Sequence, residues 1–288
     1  MKSEIELFRV ISIFGIIWFH SGIQFGKDVA YGGLVFFIII SVYFATTSCR
    51  SHTFWTRIER LIIPYILWST FYGIITFKLK GVFFPADESL FSIILSSTSI
   101  HLWFLPFIFF VLLTIDNLRS LLFKEWFGIL IGISAILSIS LAPIWRGFNY
   151  IPPLGQYAHA IPAVLIGVFL GVYNKIRPKV RLWIITSIIL SISLMVFKQQ
   201  PGIGIPYVVG LTPCIFLFYE NILIKNNKII LSLASATFGV YLLHVFSILI
   251  LRHIGVKSYT LPIATFLLSI SLVLVFRYYF PKIVKYIM

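Results

Sequence analysis

Residues Glu4–Ile23 read EIELFRVISIFGIIWFHSGI, an apolar run of bilayer-crossing length that nevertheless carries Arg9 and His20. At about 1.5 Å per residue, about 20 residues of helix traverse the ~30 Å hydrocarbon core. Eleven residues at about 100° each make about three turns, so Arg9 and His20 share one face, roughly 16 Å apart along the axis. An arginine in a membrane helix costs several kcal/mol unless it is paired or faces a polar cavity. The stripe therefore predicts a lined pocket rather than a lipid-facing surface.

The rest of the chain agrees with a membrane setting. It is 59% hydrophobic and 11% charged, with a mean hydropathy of +1.01. Soluble domains carry about 25% charged residues, so this chain has too few to cover a water-facing surface. Mostly apolar runs of helix-spanning length occur at 5–23, 30–48, 61–77, 101–118, 126–142, 157–174, 182–197, 203–223, 229–250 and 260–280. The connections are short and hold most of the charges, prolines and glycines, and no internal repeat is visible. We expect an all-α, polytopic membrane protein of about ten helices, one membrane-embedded domain over residues 1–288, with no soluble domain. The first apolar run lacks a small-residue cleavage site, so no cleavable signal is expected.

Lys and Arg set the orientation. With the N-terminus inside, fifteen fall on the cytoplasmic side (Lys2, Arg50, Lys225 and Lys285 among them) and seven outside, with Arg9 within the first helix. Both termini are then cytoplasmic. The net charge of +14 is mostly a topology signal, and a nucleic-acid partner is not implied. Cys49 and Cys214 make no disulfide framework, and no metal-ligand spacing is present. There is no Gly-x-Ser-x-Gly, His-Glu-x-x-His or P-loop, so hydrolase, zinc-protease and nucleotidase readings have no support. His52 and His253 sit in connections, and His159 and Glu220 near helix ends.

Three further stretches concentrate polar residues. FWTRIERLIIPYILWS, residues 54–69, places Arg57 and Arg60 before Pro64 at the cytoplasmic end of a helix. Ordinary positive-inside charge accounts for them as well as a binding role does. HLWFL, residues 101–105, brings His101 and Trp103 to a helix start, where a tryptophan is commonly an interfacial anchor. FGVYLLH, residues 238–244, puts Tyr241 and His244 three apart on one face, as a bridge between helices or as part of a site. Arg9 itself either snorkels to the interface or lines a polar entrance, and His20 either bonds within the bundle or acts as a base.

Taken together and in this order, the Arg-x10-His helix and these three stretches resemble the acyltransferase 3 family of membrane O-acyltransferases. Two departures stand out: Val10 follows Arg9, and Val42 in FFIIISVYF stands where that family commonly has glycine. Both bear on close helix packing more than on chemistry. The resemblance implies transfer of an acyl group, most typically acetyl from acetyl-CoA, to a hydroxyl of a cell-surface or lipid-linked saccharide at a bacterial inner membrane. His20 would be the catalytic base or acyl carrier, with Arg9 the second catalytic residue. Arg57 and Arg60, with Arg9, would hold the coenzyme A phosphates, which guanidinium binds bidentately. His101, Trp103, Tyr241 and His244 would meet the acceptor. Helix counting places the three histidines toward the outer half and the arginines toward the cytoplasm. No metal is expected, and the partners are acyl-CoA, the glycan acceptor and membrane lipid. A transporter or flippase for a lipid-linked glycan is the alternative, since helices around a polar cavity suit it too.

Overall fold

The computed structural model describes residues 3–48, 53–84, 89–219, 224, 227–282 and 284. Lys2, Cys49, Arg50, His52, Glu220, Lys225 and Lys285 lie outside the described residues. Among the described residues every regular element is a helix. The long ones are α1 (Ser3–His20), α2 (Lys27–Thr47), α3 (Phe54–Lys80), α4 (Ile100–Asn117), α5 (Glu125–Ser140), α6 (Leu154–Lys175), α7 (Pro178–Phe197), α8 (Ile205–Leu217), α9 (Lys228–His253) and α10 (Thr260–Tyr279). Each falls on one of the apolar runs. Seven of them, all but α1, α5 and α8, are long and apolar enough to cross a membrane. The 16-residue α5 and the still shorter α8 fall below that length, and the 18 residues of α1 include three charged side chains, Glu4, Glu6 and Arg9. The chain is a multi-pass membrane protein.

The main boundary shift is at α3, expected from residue 61 and found from Phe54. Thr53 caps the helix by accepting from the Thr56 backbone N–H, so the basic FWTR segment is already helical. Pro64, four residues beyond Arg60, has no N–H to return to the Arg60 carbonyl, so the i→i−4 ladder cannot continue there. The helix widens instead into a π turn over Ile58–Ile62, with Ile63 N–H bonded to the Ile58 carbonyl. At the other extreme α8 stops at Leu217, after a 3-10 stretch that begins beside Pro213.

The chain packs as two compact units, Met1–Ile40 with Met195–Tyr286, and Ser41–Leu194. In the first, α1 and α9 run parallel: Arg9 meets Thr237, His20 meets His244, and Arg252 Nη2 donates to the Ser21 carbonyl at 3.0 Å. Helix α10 returns antiparallel to α9, with the buried Ser269 hydroxyl on Ser247 at 2.8 Å and Arg277 on Ser235. Glycine supplies the close approaches between helices. A Cβ at Gly33 would strike the Ser12 backbone of α1, and one at Gly210 would meet Val35 and the Gly32 carbonyl of α2.

In the second unit α3 and α4 are antiparallel, shown by Arg57 beside Asp116 at one end and Tyr72 against His101 at the other. Helix α5 lies along α6 and α7, its Gly132 against Phe169 and Ile184 and its Ser140 hydroxyl 3.0 Å from that of Ser191. The outward face of α7 carries Leu182, Trp183, Ile189, Leu190 and Leu194, all exposed, while Ser191 is buried. The buried side is apolar as well, with Ile184, Ile188 and Ile192 beside Ser191, and a helix apolar on both its inner and outer faces suits lipid surroundings.

Gly33→Val should lower the thermal midpoint and the monodisperse yield in detergent, because the obstacle is backbone and the strain is of order 1–3 kcal/mol. Size-exclusion profiles and a melting curve beside wild type check it.

Candidate active site

Helix α1 carries Glu6, Arg9 and His20, and α9 carries Thr237, Tyr241 and His244 at helical spacing, so each helix contributes one polar stripe. The two stripes meet. Arg9 Nη1 donates to Glu6 Oε2 at 2.9 Å and its Nη2 to Thr237 Oγ1 at 3.3 Å. The Thr237 hydroxyl spends its own proton on the Ala234 carbonyl at 2.8 Å, which turns a lone pair toward the guanidinium. Arg9 therefore does not reach alone to the interface. It is tied at one turn of α1 and one turn of α9.

Farther along the same seam the rings of His20 and His244 lie 5.1 Å apart between centroids, inclined by 53°. His244 is fully enclosed and His20 half-buried. The His244 Nδ1 sits 2.6 Å from the Tyr241 carbonyl. A carbonyl only accepts, so Nδ1 carries the proton and the lone pair of the neutral ring is on Nε2. The Tyr241 ring leans on His244 at 5.9 Å, and Phe19 meets His20 edge-on at 5.4 Å. The end of α1 next to His20 is fastened by the Arg252 bond to Ser21, followed by Gly22 at φ +80°. A left-handed backbone at that position favours glycine. The arrangement fixes the His244 imidazole and leaves its neighbour His20 half-buried beside it.

The other sequence candidates belong to the second unit. Arg57 is buried and paired with Asp116, its Nε and Nη2 each 3.0 Å from Oδ2. Arg60, on the π turn, is exposed. His101 lies in the 3-10 turn that opens α4, with Nδ1 2.8 Å from the Ser99 hydroxyl and its ring edge-on to Tyr72 at 4.9 Å. Trp103 is buried against Phe107 and Tyr157, at 5.6 and 5.8 Å, rather than standing at an exposed interface.

Thus Arg9, His20, Tyr241 and His244 come together on adjoining helices of one unit. Arg57 and Arg60 lie at one end of the other unit, and His101 with Trp103 at the opposite end of α4. Sequence reasoning passed over Glu6, Thr237, Asp116, Arg119 and Arg252. Glu6 and Thr237 left a local signal, a carboxylate three before Arg9 and a hydroxyl four before Tyr241. Asp116 left the same kind of signal, three before Arg119, but none for Arg57, 59 residues away, and Arg252 left none, its partner being 231 residues away. Among the described residues no three His, Cys, Asp or Glu side chains gather in a way that could hold a metal ion.

Comparison with known proteins adds one finding: a family model described as an acyltransferase domain matches residues 2–280. No curated protein and no solved structure matches.

Removing one partner of a buried ion pair costs about 3–5 kcal/mol, and the one-quarter exposure of the Arg9 side chain (25%) reduces that. Glu6→Gln should therefore destabilise the purified protein by roughly 2 kcal/mol in thermal melts, and Thr237→Val by roughly 1 kcal/mol. Thr237→Ser should stay near wild type, and Glu6→Gln with Arg9→Met should recover part of the single-variant loss.

Proposed function

The chain belongs to the acyltransferase 3 family, and from that premise we propose that it is an integral membrane O-acyltransferase. It takes an acyl group, acetyl in the simplest case, from acyl-CoA on the cytoplasmic side and places it on a hydroxyl of a cell-surface or lipid-linked saccharide. The membrane is a bacterial inner membrane, crossed by ten helices with both termini in the cytoplasm, as the fifteen-to-seven Lys/Arg imbalance favours.

The observation that carries the reading is the His20–His244 contact, with the second ring pinned by the Tyr241 carbonyl. In the proposed reaction a nitrogen of His20 accepts the proton of the acceptor hydroxyl as its oxygen bonds to the thioester carbonyl carbon. The carbon–sulfur bond then breaks, and the imidazolium returns the proton to the departing thiolate. Ester and free coenzyme A result, with no net change in protons. His244 and Tyr241, both buried in the seam, orient His20. Arg9, roughly 16 Å back along α1, is too far to touch the reacting carbon. Its part is to keep a cationic, polar wall along the path of the pantetheine arm. Arg57 and Arg60 are assigned to the coenzyme A phosphates on guanidinium chemistry.

Purified protein in nanodiscs, given acetyl-labelled acetyl-CoA and a glycan-bearing lipid fraction, should release coenzyme A and label the glycan. His20→Ala should lose roughly 10²–10⁴ of the rate at normal expression and melting temperature. Turnover close to wild type would remove His20 from the chemistry, and glycan movement across vesicles without label would point to a transporter.

A further inference from the structure

The two arginines of the Arg-x-x-Arg segment are not equivalent. On an unbroken α-helix, positions three apart share a face. The π turn over Ile58–Ile62 separates them: Arg57 is buried against α4, and Arg60 is turned out and exposed. Asp116, at the end of α4, receives Arg57 on Oδ2 and Arg119 Nη2 on Oδ1 at 3.1 Å. Arg119 is held a second time, by Nη1 on the Ser48 carbonyl at the end of α2, at 2.5 Å. One carboxylate thus fixes two guanidiniums, and the formal sum of the three is positive.

The shape of the pairing matters. Asp116 takes the Nε–Nη2 edge of Arg57, and guanidinium has five N–H donors in a rigid fork. The Nη1 end stays oriented without being used by Asp116. The same end of this unit gathers Lys124, Lys175, Arg177 and Arg181, at the start of α5, the end of α6 and the start of α7, with Arg177 tied to Glu125 at 2.8 Å. An anion with several phosphate groups is the ligand class that such a surface suits.

We infer that Asp116 is a positioning residue for the donor-phosphate site, and that Arg119 is a third guanidinium of that site beside Arg57 and Arg60. The inference rests on the acyl-CoA reading above and names the residues that prepare it. Asp116 never touches the donor. It holds Arg57 and Arg119 in their binding rotamers, so less side-chain freedom is lost when phosphate arrives.

The test is acetyl-CoA binding by full-length protein in phosphatidylcholine nanodiscs, which present no anionic headgroup, followed by steady-state turnover. Asp116→Asn should weaken binding roughly tenfold and raise KM in step, with kcat at saturation kept. Arg119→Gln should weaken binding comparably, and acetyl-3′-dephospho-CoA should be less sensitive to at least one of these substitutions. In a background carrying both Arg57→Ala and Arg119→Gln, Asp116→Asn should add little, because both of its routes of action are gone. Asp116→Glu, which keeps the charge, should recover most of the affinity, and it carries the same cycle if Asp116→Asn does not fold. An unchanged binding constant in either single variant, a fall in kcat alone, or a full Asp116→Asn effect persisting in the background that lacks both arginines would overturn the inference while leaving the donor reading intact. A wild type that binds no acetyl-CoA overturns both.

Discussion

A guanidinium surrounded by hydrocarbon has to find a counter-charge or bring water with it. Here Arg9 finds Glu6 one turn back and the Thr237 hydroxyl on a neighbouring helix. That three-way contact ties α1 to α9, and the register it imposes brings His20 opposite His244. Were α9 turned so that Thr237 faced away, a buried carboxylate and a guanidinium would be left with each other on one helix surface. The polar stripe is thus both the stabilising contact of the seam and the reason two imidazoles lie against one another.

The packing that surrounds this seam follows from size. Helix α2 approaches α1 where Gly33 lies on the Ser12 backbone, and α8 approaches α2 where Gly210 lies on Val35. Such contacts let backbones come near without side chains between them, which in lipid replaces the hydrophobic drive available in water.

In the second unit the same electrostatic logic appears with the carboxylate in the middle. Asp116 sits between Arg57 and Arg119, and the π turn beside Pro64 assigns one arginine inward and the other outward. A proline that cannot donate its bond therefore does more than bend a helix: it gives two arginines, three apart in sequence, different surroundings. His101 and Trp103 are drawn into the aromatic packing at the far end of α4. Their residue types were legible as polar and aromatic at a helix start, but their enclosure depended on Tyr72 and Tyr157, which are distant in sequence.

Composition and apolar run length by themselves determined that the chain is helical and membrane-embedded, where nearly every helix lies, and that Arg9 and His20 share a face. These are one-dimensional properties, because a bilayer imposes length and apolarity on any segment that crosses it. The Tyr241–His244 spacing was equally readable, and so was the family. What only the tertiary structure decided is which polar groups answer one another: Thr237 for Arg9, His244 for His20, Asp116 for Arg57, the Ser21 carbonyl for Arg252. Helical periodicity states the direction in which a side chain points along its own helix. The partner on the other side is set by the rotation and register of a second helix, and those emerge only when all the packing contacts are satisfied at once.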